Sequence, residues 1–91
     1  MDRELPEDIL ERIQATAMSH EEVTGTHEMR TRQAGHTKFV QLHLELNENM
    51  SLKRAHEIAD EVEAEIKEFL PCAEVLIHQD PADDSQKGEV H

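Results

Sequence analysis

Val75-Leu76-Ile77-His78-Gln79-Asp80-Pro81 opens as an aliphatic run and ends on an imidazole, an amide and a carboxylate. Alternate side chains of an extended strand share a face, so His78 and Asp80 point the same way with their backbones about 6–7 Å apart. One divalent ion could reach both. What precedes the run decides the architecture. Ser51 can cap a helix whose apolar groups Leu52, Ala55, Ala59, Val62, Ile66 and Phe69 recur in steps of three and four, and Pro71 stops it. Ahead of that helix, Val40-Gln41-Leu42-His43-Leu44-Glu45-Leu46 alternates as a strand over residues 38–46. A strand–helix–strand unit in one sheet crosses over right-handed, so the strand over 74–79 is expected parallel to the strand over 38–46.

Further out, Pro6 followed by Glu7 and Asp8 makes a helix start, with Ile9, Leu10, Ile13 and Ala17 at helical spacing over residues 7–19. Residues 23–33 read as a strand around His27, joined to the next strand by the turn Ala34-Gly35-His36-Thr37. The order is αββαβ. The expectation is an α+β, ferredoxin-like two-layer sandwich with a three-stranded mixed sheet and both helices on one face. The other face would carry Phe39, Gln41, His43, Leu76, His78 and Asp80, half apolar and half ligand-bearing, and a symmetric second copy is its simplest cover. Residues 1–6 read as a connector, 7–80 as the domain, and 81–91 as a disordered acidic tail with too little apolar content to pack.

The chain has 91 residues, 21 acidic against 9 Lys and Arg, and a net charge of −12 with histidines neutral. Such a charge repels phosphates and attracts cations, which argues against a nucleic-acid partner. Aromatic content is 2%, without Trp or Tyr, so stacking platforms for bases are absent too. The single cysteine, Cys72, excludes an internal disulfide or a CxxC zinc ribbon and suits a reducing cytosol. No stretch reaches the roughly 20 apolar residues that span a bilayer.

His27, His43, His56, His78 and Asp80 are the candidate metal ligands. Neutral imidazole and carboxylate oxygen are ordinary Zn²⁺ donors, and one carboxylate can bridge two ions, which makes a binuclear site conceivable. Each has a plainer reading: strand histidines are commonly hydrogen-bonded surface groups, and His56 could be a half-buried helix residue with Asp60 as its orienting partner. Gln79 alternates away from His78 and Asp80 and would bond to water or across an interface. His20, His36 and His91 lie at a helix end, a turn and the terminus, where solvated side chains are expected. Arg30 and Arg32 read as salt-bridge formers.

Taken together, Thr26-His27-Glu28-Met29-Arg30-Thr31-Arg32-Gln33-Ala34-Gly35, Gln41-Leu42-His43-Leu44-Glu45, Ala55-His56-Glu57-Ile58-Ala59-Asp60 and Ile77-His78-Gln79-Asp80-Pro81 resemble the cytoplasmic C-terminal domain of cation diffusion facilitator transporters, bacterial zinc and iron efflux proteins among them. The resemblance covers residues 1–81 and implies a metallochaperone-like fold, a homodimer, and attachment to a transmembrane domain at the cytoplasmic face of the cell membrane. It makes residues 1–6 the connector after the last membrane helix and Met1 an internal residue. It also implies a binuclear zinc site formed by His27, His43, His56, His78 and a bridging Asp80, with Gln79 near the subunit boundary. The same donors accept Fe²⁺, Cd²⁺, Co²⁺ or Mn²⁺. The implied function is metal-controlled dimerisation regulating proton-coupled zinc efflux, with no enzymatic activity. Two rivals remain: a free-standing metal carrier of this fold, and a small zinc hydrolase using Glu28 or Glu45 as base, for which there is no helical HExxH, no nucleophile elbow and little room for a pocket.

Overall fold

A computed structural model describes residues 3–82. Its elements run α1 (Glu7–Met18), β1 (Val23–Ala34), β2 (Thr37–Leu46), α2 (Leu52–Phe69) and β3 (Ala73–Pro81). The sheet order is β1-β2-β3, with β1 antiparallel and β3 parallel to β2. The expected αββαβ mixed sheet is present.

Local chemistry fixes the element ends. Gly35 takes φ +63° in the two-residue loop between paired Ala34 and Thr37, a conformation that costs glycine nothing. The Ser51 hydroxyl accepts from the Arg54 amide at 3.0 Å and caps α2. Pro81 is not the start of a tail: it is the last residue of β3, opposite Leu46, and the Ala82 amide donates to the Leu46 carbonyl at 2.7 Å. Proline is tolerated there because β3 is an edge strand, where a missing N–H breaks no ladder bond. The rest of the expected tail, 83–91, lies outside the described residues. The expected connector is tied to β1 from Arg3 onward: Arg3 bridges Gln33, the Leu5 amide donates to the Thr31 hydroxyl at 3.2 Å, and Leu5 is buried.

One face of β2 supplies Val40, Leu42, Leu44 and Leu46 to the core, against Ile13 and Ala17 of α1 and Ile58, Val62 and Ile66 of α2. Both helices therefore lie on that face, as the crossover rule requires. The α2 stripe differs from the sequence reading at two positions. Ile58 is fully buried, whereas Leu52 is 82% exposed in the first turn, beside Met50, Gln79 and Pro81. Residues 52 and 59 share an angular position on the helix, so periodicity alone cannot tell a turn over the sheet from one at its end.

Polar links lock α2 to the loop ahead of β1. Arg54 donates to both Glu22 carboxylate oxygens at 2.8 Å, which holds the Glu22 carboxyl below its usual range. His20, expected to be solvated, is only 13% exposed at its side chain and donates through Nε2 to Glu65 at 2.8 Å. Glu61, one turn earlier on α2, stands 3.6 Å from Nδ1. His36, by contrast, is an exposed turn residue as expected.

Candidate metal centre

The face of the sheet turned away from the helices carries two rows of functional side chains, placed by strand register. Across the three strands His27 pairs with His43 and His43 with His78. Two residues along, Gly25 pairs with Glu45 and Glu45 with Asp80. Neighbouring strands sit about 4.8 Å apart, so a row of three imidazoles is forced into ring contact. The His27 and His43 rings stack with centroids 5.4 Å apart, and those of His43 and His78 at 4.5 Å.

Asp80 reaches from the carboxylate row into the imidazole row. Its Oδ2 accepts from His27 Nε2 at 3.0 Å and from His43 Nδ1 at 2.8 Å. The other nitrogen of His27, Nδ1, donates to Glu45 Oε2 at 2.9 Å. An ionised carboxylate only accepts, so His27 with a carboxylate at each nitrogen is best served by carrying both protons. Its pKa is accordingly raised, foremost by the Asp80 hydrogen bond and then by Glu45, against an opposing effect of burial. Burial pushes Asp80 upward, but the His43 and His27 hydrogen bonds outweigh it and hold the carboxyl below its ordinary value.

The arrangement suits a cation. Protons now lie between imidazole nitrogens and one carboxylate oxygen, where a divalent ion would satisfy the same lone pairs with greater charge. His27, His43, His78 and Asp80 come together within one chain. His56 does not: it stands on α2 with its side chain 71% exposed, and its Nε2 lies 3.5 Å from Asp60. Asp60, one turn along α2, is exposed as well. Gln79 turns to the α2 side, in the cleft formed with Leu46, Met50, Leu52 and Ala55.

Glu45 is the residue that the sequence reading placed only as a hydrolase base. It lies two residues from His43, hence on the same face, and it fixes His27 through Nδ1 so that Nε2 is left to face Asp80. Gly25 makes room for it, since a Cβ there would stand 3.0 Å from Glu45 Oε1. Period-two spacing after His43 was the available signal. Glu45→Gln is expected to weaken Zn²⁺ binding about tenfold, as outer partners of ligating histidines commonly do. Calorimetry that finds wild-type affinity would show that His27 needs no such orientation.

Residues 5–82 match the family described as cation efflux protein, cytoplasmic domain. The chain belongs to the cation efflux family. Within it, the cation-efflux pump FieF of Shewanella oneidensis is 51% identical over 81 residues, covering 89% of this chain and 27% of that protein. The chain thus spans about a quarter of the length of this curated relative. Among solved structures, CzrB in its zinc form aligns with a TM-score of 0.78 at 30% identity, covering 89% of this chain and 93% of that one. The metal-bound C-terminal domain of the CzcD transporter from Thermotoga maritima gives 0.75 at 29% identity, covering 81% of this chain and 87% of that one. Cation efflux proteins are transporters, not an enzyme family, and the ferredoxin-like domain is the part of them to which this chain corresponds. Among the described residues no helix is long and apolar enough to cross a membrane.

Proposed function

We propose that this chain is the metal-sensing, dimerising domain of a proton-coupled zinc exporter, holding cations on the His27, His43, His78 and Asp80 face. The observation that carries the reading is the single oxygen of Asp80 gathering two imidazole nitrogens within 3.0 Å, with a third imidazole stacked alongside. A binuclear site with Asp80 as bridge needs His56 as well; its exposed ring is accessible to an ion held near a second copy. A membrane domain would then precede the stretch that Arg3 and Leu5 anchor to β1.

Electrostatics give the ion a regulatory lever. Two copies of net charge −12 repel, and bringing carboxylates together near a dimer axis costs less with a cation between them. A closed arrangement that binds the ion about 100-fold better than a splayed one is favoured by about 2.7 kcal/mol on saturation. That is enough to reverse a nearly balanced pair, and attached membrane helices would feel the closure. The relatives' metal forms support cation binding, and zinc is favoured because imidazole predominates among the donors.

Isothermal titration of the 91-residue chain with Zn²⁺, with X-ray scattering before and after, tests this. Binding accompanied by association or compaction is expected. A free-standing carrier would bind without any change in scattering, and no binding would remove the reading altogether.

A further inference from the structure

Strand β1 carries an irregularity beside His27. Pairing runs from His27↔His43 directly to Arg30↔Gln41, so three steps on β1 face two on β2 and one residue is extra. At that bulge Glu28 has φ +52°, the one positive φ of a non-glycine residue among the described residues. In a regular strand residues 27 and 28 would point to opposite faces, and Glu28 would be driven toward the core. The bulge resets the alternation: Met29 packs against the core instead, and Glu28 is exposed. One ligand atom each from His27, Glu28 and His43 consequently lies within 4.8 Å of the other two.

We infer that Glu28 is an additional carboxylate donor to the cation held by His27 and His43, and that it raises the centre's relative affinity for harder divalent ions such as Mn²⁺. Donors around a tetrahedral ion stand about 3.4 Å apart, so the group must close by up to about 1.4 Å. An exposed glutamate has the side-chain freedom to do so. The backbone evidence is independent of the side-chain distances: a left-handed φ at a residue with a Cβ is unfavourable, and such conformations concentrate where a side chain has been re-aimed for function. Oxygen donors favour Mn²⁺ relative to nitrogen-rich sets, whereas imidazole already suits Zn²⁺.

This inference rests on the proposed cation centre, and its test separates the two. The full chain, its Glu28→Gln and Glu28→Gly variants and Asp80→Ala are titrated calorimetrically with MnCl₂ and ZnCl₂ alone. Glu28→Gln keeps the side chain's size, and about a tenfold loss for Mn²⁺ is expected with less than about a threefold loss for Zn²⁺. Glu28→Gly should show the same Mn²⁺ loss while the metal-free domain melts at a higher temperature, since glycine accepts the backbone conformation. Unchanged Mn²⁺ affinity in Glu28→Gln, or equal losses for both ions, would overturn ligation by Glu28, the second by reducing it to distant charge. Failure of the wild-type chain to bind either ion would instead sink the centre itself.

Discussion

Ile58→Ala is expected to destabilise the domain by about 3 kcal/mol, a loss seen as a lower urea midpoint in circular dichroism, while Leu52→Ala changes it by less than about 0.5 kcal/mol. The two residues lie on one helix and differ by little in hydrophobicity. Ile58 has no exposed surface and packs beneath the sheet with Val62, Ile66 and Leu44, so truncation removes buried methyl groups and leaves a void. Leu52 is 82% exposed and has almost no transfer free energy to lose. A domain of this size has only about 5–15 kcal/mol in total, so the first variant gives up a large share of it. Dilute protein keeps association from covering Leu52. A Leu52→Ala loss approaching that of Ile58→Ala would contradict the placement of α2.

That pair of positions also marks the limit of what periodicity could say. Caps, Pro71 and alternation located every element to within two residues, because they are local signals. Burial along α2 is decided by where the sheet ends beneath it, which is a tertiary fact. The same division holds in the site. Period-two spacing put His43, His78 and Asp80 on one face, and the parallel crossover put β3 beside β2, so their meeting was legible. His27 joins them only because the register sets it opposite His43, and the bulge that brings up Glu28 gives no sign in a sequence without a glycine at that point. A position just after a helix end predicts a solvated His20; two glutamates from α2 stand against it instead. His56 shows the opposite case, where the resemblance groups a residue with the others and the single chain keeps it apart on its helix.

Asp80→Ala is expected to lower Zn²⁺ affinity at least about 100-fold, or about 2.7 kcal/mol, with His36→Ala unchanged as an exposed turn control. Asp80 hydrogen-bonds both His27 and His43 through one oxygen, so its removal takes away a donor and the charge that offsets the ion. Binding should also weaken as pH falls, because the cation must displace the proton that Asp80 holds on His27, whose pKa is raised above 6.5. The metal-free domain should show the reverse dependence. His27, with a raised folded pKa, stabilises the fold fully below 6.5 and ceases to as pH climbs through its raised value; Asp80, with a depressed one, contributes above 3.8 and stops as pH falls through its lowered value. The stability difference between wild type and Asp80→Ala, measured by urea unfolding in chelator, should therefore be greatest from about pH 4 to 6.5 and shrink toward alkaline pH. Imidazole protons and cations would then be exclusive partners of one ionised carboxylate, protons holding the face together below the raised His27 pKa and metal doing so once they leave. A difference that grows above neutral pH would break that exchange, and wild-type Zn²⁺ affinity in Asp80→Ala would remove Asp80 from the centre.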